Sequence, residues 1–382
     1  MIELTQKGIV HACCILAFSA SPIAAQACER LQTSESRELI DVLERASAVL
    51  PVWDDYSLAN HPVVLIAQSR DTMQPSCSAI WRSGEPLQLV PSTRGMRMST
   101  PLYALWNIDS IGPRADEGNK GIAGALRRAP REVEEALGSA GETRAVILPS
   151  PLYLDSIGNL GRALKAMQVK IVPMLGQLAV HESFHLHSQM PSWLDQEQRY
   201  RWPAWDRQPD RKALVAQCYG PPGPVAAKLQ QERDALQRAW RAMWNAPDAQ
   251  SRSTAISAAQ EFVEARLARY LMVDSVRIPS PPHEAVGCRR AENIMELEEG
   301  AAQWIGYSTL VRAGIMTREE VGVAAGEAFY DLGMLQLWVL EYLIGAEGVR
   351  GITQSIARSA SPDSPDAAIF AHFFRAVMER RR

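Results

Sequence analysis

Beyond its N-terminal segment the chain has no apolar run that reads as a membrane span. The best candidate, Leu335 to Ile344, is short and interrupted by Gln336 and Glu341, whereas a spanning helix needs about 20 apolar residues. That run reads as a buried core helix. Charge of one sign is also lacking. Lys and Arg number 40 against 43 Asp and Glu, a net of −3, and the only basic cluster is Arg380-Arg381-Arg382. Nothing in that pattern argues for nucleic acid. No Cys-x-x-Cys occurs, which counts against a cysteine zinc site. No internal repeat is visible.

What the N-terminus does have is a secretory pattern. Residues 1–27 read as a signal peptide: Lys7, then an apolar stretch from Ile9 to Ala20, then Pro22 and the small-residue site Ala25-Gln26-Ala27. The protein is therefore expected to be exported, periplasmic or secreted. Ala25-Gln26-Ala27-Cys28 lacks the Leu of a lipidation box and carries Gln in a poor place for one, so lipid anchoring at Cys28 is not expected. Cleavage leaves Cys28, Cys77, Cys218 and Cys288. An even count in an exported chain predicts two disulfides, with three possible pairings. Cys28–Cys77 and Cys218–Cys288 are favoured because each closes within one region of sequence.

Histidine is scarce, 7 in 382 residues, yet His181-Glu182-Ser183-Phe184-His185 spells His-Glu-x-x-His. Ile171, Leu175, Leu178 and Phe184 recur at helical spacing, so the motif is predicted to lie on an amphipathic helix. The i, i+4 spacing puts both imidazoles on one face, one turn apart. Two neutral imidazoles so placed can share one tetrahedral Zn2+. Glu182 then sits where it can take a proton from water and pass it to a leaving amine. Gly176, earlier on the same helix, permits close packing near the site.

A third ligand is sought downstream, in Glu296-Leu297-Glu298-Glu299-Gly300-Ala301-Ala302-Gln303-Trp304. His-Glu-x-x-His followed by Glu-Gly-x-Ala-x-aromatic resembles the gluzincins, the thermolysin and aminopeptidase group of zinc peptidases. The resemblance implies that Glu299 is the third ligand. It also implies that Gly300 and Ala302 let two helices approach around the metal. It covers the two motifs alone, and the interval between them is longer than in compact members. Glu292, Glu296 and Glu298 stay open as rival ligands, since Glu292, Glu296, Glu299 and Gln303 share one helix face. Gln303 stands where thermolysin-like enzymes often have an Asp behind the ligand. The metzincin pattern is rejected, because Ser188 and Pro191 occupy the positions of its Gly and third His. His187, two residues from His185, points off the shared face and is a candidate only for substrate at the cleft rim.

The implied function is that of an exported zinc metallopeptidase acting on a peptide or protein substrate, or on a related amide. Glu182 is the base, and Tyr330, then Tyr307, are the candidates to stabilise the oxyanion. The alternative is a catalytically silent zinc-binding envelope protein. The expected fold is α+β and predominantly helical. A small mixed sheet in residues 28–159 precedes a helical zincin-like region, 160–382, with a helical-hairpin insertion over about 218–288. Predicted strands are Pro62 to Ala67, Cys77 to Trp81, Leu87 to Val90 and Ala145 to Pro149. Predicted helices include Ser36 to Leu50, Val225 to Asn245, Ala249 to Met272 and Thr317 to Gly345, the last kinked near Gly326 or Gly333. The stretch 189–224, rich in Pro and Trp, reads as a structured loop beside the site, and Val276 to Gly287, rich in Pro, as the return to the Glu299 helix. Nothing in the sequence sets the oligomeric state.

Overall fold

A computed structural model describes residues 28–29, 31–51, 53, 56–67, 76–93, 104–107, 129–151, 164, 166, 168–189, 210–220, 223–245, 248–280, 283–321, 328–358 and 368–380. The expected signal peptide and the Trp-rich part of the 189–224 loop lie outside them, as does Gly326. The fold is α+β and mainly helical, with the sheet on the N-terminal side.

Five strands form the sheet: β1 (Val63–Ala67), β2 (Ser76–Trp81), β3 (Gln88–Ser92), β4 (Ala104–Asn107) and β5 (Arg144–Pro149), in the order β3-β2-β1-β5-β4. Only β1 and β5 run parallel, with Val63 opposite Val146 and Leu65 opposite Leu148. Every residue of β1 is buried because both sheet faces are covered, which is why its sequence is continuously apolar rather than alternating. Successive side chains go to opposite faces. Val63, Leu65, Val146 and Leu148 join the main helical core. Val64, Ile66, Ala145 and Ile147 join a smaller core with Val133 and Leu137 of helix α2 (Arg131–Ser139).

Helix α1 (Ser34–Ser47) is started by Thr33, whose hydroxyl accepts the Ser36 amide. It packs on α3 (Ile171–Phe184), the helix that carries His-Glu-x-x-His. The close fit falls at Gly176, where a Cβ would lie 2.4 Å from Val42 Cγ1. At its far end α3 is gripped by aromatics. Phe184 meets Trp53 edge-on at 5.0 Å and Tyr56 at 5.3 Å, and the Tyr56 hydroxyl donates to Val180 O at 2.9 Å.

The second half builds the other wall. A short helix α4 (Arg211–Leu214), capped by Asp210, runs into a π-type turn at Val215–Tyr219. Helices α5 (Pro224–Asn245) and α6 (Ala249–Val273) form the long hairpin expected between the motifs. A two-stranded ribbon follows, β6 (Arg277–Ser280) with β7 (His283–Gly287). The Pro-rich return expected over Val276 to Gly287 is thus largely paired backbone, with Ile278 and Val286 as buried partners across the ribbon. Helix α7 (Cys288–Met295), a π-type turn at Glu296–Gly300 and helix α8 (Ala301–Arg312) are continuous, and α8 lies against α3.

A 3₁₀ turn at Arg318–Glu320 precedes α9 (Ala328–Arg358), and α10 (Ile369–Arg380) ends the fold. The helix predicted from Thr317 is a 3₁₀ turn at its start, and among the described residues regular helix resumes at Ala328. It runs without a kink through Gly333 and breaks at Gly345, φ 79°, where the predicted segment ends; a left-handed φ suits glycine because other residues carry a Cβ penalty there. The stretch Ala328–Ile356 is long and apolar enough to cross a membrane by length and composition, but 61% of its most apolar window is buried in the fold. Leu332, Leu335, Val339 and Leu340 are core residues.

Both expected disulfides are present, Cys28–Cys77 and Cys218–Cys288. The first ties the segment ahead of α1 to β2. The second fastens the π-type turn before the hairpin to the start of α7 after it. Two buried bridges indicate an oxidising, extracytoplasmic setting.

Candidate metal centre

Helix α3, the π-type turn His185–Gln189 that continues it and the turn at Glu296–Gly300 bring His181, His185 and Glu299 into one buried group that could hold a metal ion. Nε2 of His181 lies 3.0 Å from Nε2 of His185, and Glu299 Oε2 lies 3.6 Å and 3.4 Å from the two nitrogens. Donors about 2.0–2.1 Å from a tetrahedral ion stand roughly 3.3–3.4 Å from one another. The observed separations fall around that value, so the three side chains fit one small cation. Lone pairs facing each other at such distances need a shared positive charge, and a proton or a metal ion supplies it.

The rival carboxylates are engaged elsewhere. Arg269 holds Glu292 with two parallel bonds, 2.6 and 2.7 Å, and Arg266 bonds Glu296 at 3.0 Å. Both arginines also bind Glu232 of α5. All five side chains are fully buried, and Gln336 of α9 donates to Glu296 at 2.8 Å. This network braces the turn that presents Glu299. Glu298 and Glu299 both face Arg211 of α4, which touches the Glu299 oxygen that points away from the histidines.

The electrostatics follow from burial. Burial opposes ionisation of Glu299, but Arg211 and the two histidines outweigh it and hold its carboxyl well below the usual range. Burial also disfavours a charged His185, yet the Glu299 hydrogen bond and charge lift it to about 9; burial lowers His181. In the metal-free protein the extra proton therefore resides on His185. Glu182 is pushed up to about 8, mainly by burial. Its Oε1 lies 3.9 Å from His181 Nε2, adjacent to the donors without joining them.

Tyr330, on the first turn of α9, comes to the site: its ring lies parallel to that of His181, centroids 6.3 Å apart. Burial and the Glu299 carboxylate keep its phenol protonated. Tyr307 is instead influenced by burial and Asp331. His187 leaves the donor group and stacks on His61, centroids 3.5 Å apart and 13° from parallel. Gln303 accepts a hydrogen bond from Gln177 of α3 at 3.2 Å, so it links α8 to the motif helix. Two residues of the centre were not singled out in the sequence, Arg211 and Gln189. Arg211 had no local signal, since its partners lie far along the chain. Gln189 had one: it stands four residues after His185, on the same helical face. Its amide meets His185 Nδ1 at 2.5 Å.

No protein-family model, curated protein or solved structure matches this chain.

Proposed function

We propose that this protein is an exported zinc metallopeptidase of the gluzincin type, hydrolysing peptide or related amide bonds. The observation that supports it is the convergence of His181, His185 and Glu299 from distant segments, with Glu182 beside them. These three side chains would hold the ion, and zinc when bound lowers the pKa of water toward neutrality and polarises a carbonyl. Glu182 takes a proton from the attacking water as its oxygen bonds to the carbonyl carbon. It then delivers that proton to the leaving nitrogen as the C–N bond breaks. The Tyr330 hydroxyl, kept protonated, donates to the oxyanion. Arg211 keeps Glu299 ionised and oriented toward the histidines.

The test compares zinc content and cleavage of a quenched peptide library in the wild type, Glu182→Gln and Glu299→Ala. The wild type should carry one zinc and cleave. Glu182→Gln should keep the zinc and lose about 10²–10⁴-fold in rate, and Glu299→Ala should lose the metal. Undiminished cleavage by Glu182→Gln would remove the proposed base. Zinc retained by a folded wild type that cleaves nothing would favour the silent zinc-binding alternative.

A further inference from the structure

We propose that Gln189 is the positioning residue of the metal centre. It fixes which nitrogen of His185 faces the other donors, and it ties that choice to the backbone that presents Glu299. The proposal rests on the metal-binding part of the functional reading and not on hydrolysis.

The orientation of the Gln189 amide is settled by its other partners. Its nitrogen lies 3.3 Å from Leu297 O and 3.1 Å from Glu298 O. Both are carbonyl oxygens and accept only, so the NH₂ end must point at them. The oxygen end is therefore the one turned to His185 Nδ1. An amide oxygen carries no proton, so Nδ1 must donate. With the proton on Nδ1, neutral His185 keeps its lone pair on Nε2. That is the nitrogen 3.4 Å from Glu299 Oε2 and 3.0 Å from His181 Nε2.

Two features make this a built device. Gln189 is completely buried, so water does not compete for its bonds. It also connects the two π-type turns of the site, from His185–Gln189 to Glu296–Gly300. Such turns interrupt the regular helical ladder and recur at functional sites. A single amide thereby couples the second histidine to the segment bearing the third ligand. The gluzincin resemblance drew attention to Gln303, one turn after Glu299, for support of this kind. Here Gln303 serves Gln177, and the support comes from the motif helix itself.

The experiment has two readouts. The first is the imidazole ¹⁵N shifts of His185 in the wild type, zinc-loaded and metal-free, the metal-free protein titrated until the shifts themselves report a neutral ring. The proton should sit on Nδ1 in both. The second is zinc affinity, by competition with a chromophoric chelator, for the wild type, Gln189→Leu and Gln189→Glu, with far-UV circular dichroism to establish folding. Gln189→Leu should lose about 10–100-fold in affinity. Gln189→Glu keeps an acceptor for Nδ1–H and should recover part of that loss. A metal-free wild type with the proton on Nε2 overturns the proposal, whether or not Gln189→Leu folds. Folded Gln189→Leu that binds zinc within about twofold of wild type also overturns it and leaves the metal centre standing. A wild type that binds no zinc but keeps the Nδ1 proton removes the metal reading while supporting the role of Gln189 in orienting His185.

Discussion

Replacing Gly333 by Ala tests how closely two helices must meet behind the metal ligands. Helix α9 crosses the turn at Glu296–Gly300 with glycine against glycine. A Cβ at position 333 would lie 2.6 Å from Glu296 O, 2.8 Å from Gly300 Cα and 3.1 Å from Glu296 C. All three are backbone atoms, so no rotamer change relieves the clash and a helix must move. Overpacking of a close-packed core costs about 1–3 kcal/mol, and a backbone obstacle puts this site near 3. Alanine in a helix interior returns about 1 kcal/mol of propensity. The net expectation for Gly333→Ala is a loss of about 2 kcal/mol. Gly351→Ala is the control. It lies on the helical segment after the turn at Gly345, with nothing within 4 Å of its would-be Cβ, so only the propensity gain applies, about 0.5–1 kcal/mol. Urea unfolding of the metal-free, disulfide-intact proteins should therefore shift in opposite directions. Zinc affinity should fall for Gly333→Ala alone, because Gly300 adjoins Glu299. Two shifts of the same sign would refute the packing reasoning.

Arg269→Met should destabilise by about 3–5 kcal/mol, since it leaves Glu232 and Glu292 buried against fewer positive charges; a urea midpoint close to wild type would mean that the network contributes little. Replacing Cys218 and Cys288 together by Ala should cost about 4 kcal/mol through chain entropy, from the separation of 70 residues that the bridge closes; denaturation under matched conditions measures it. Stability of the metal-free protein should fall as pH rises from 6.5 to about 9. The raised pKa of His185 stabilises the fold fully below 6.5, and that contribution is gone above about 9. Glu182, raised from 4.5 to about 8, acts in the same direction. Urea midpoints at the two ends of the window decide the point, and an unchanged midpoint would contradict the charge assignment. With zinc bound the ion replaces the proton on His185, and that part of the decline should vanish.

Local pattern determined a good deal. The continuous apolar run at Val63–Ala67 is a strand because both sheet faces are covered, and Ala145 to Pro149 is its parallel neighbour. His181 and His185 share a helix face by spacing alone. The pairing of the four cysteines followed from their distribution along the chain. The close helix approach that the gluzincin resemblance implies at Gly300 is there, against Gly333. These features depend on residues a few positions apart, or on cysteines whose nearest neighbours in sequence were the natural partners.

The choice among Glu292, Glu296, Glu298 and Glu299 was not local. All belong to one acidic helical stretch, and any of them can ligate a metal. What separates them is where the cations lie: Arg266 and Arg269 arrive from α6 and take Glu296 and Glu292, while Arg211 arrives from α4 and faces Glu298 and Glu299. The β6–β7 ribbon and the bonds of Gln189 likewise depend on what packs against them. Sequence by itself determined which side chains were available for the site. Tertiary structure decided which of them meet, because the free energy of a buried charge is set by its partners across the fold and not by its neighbours along the chain.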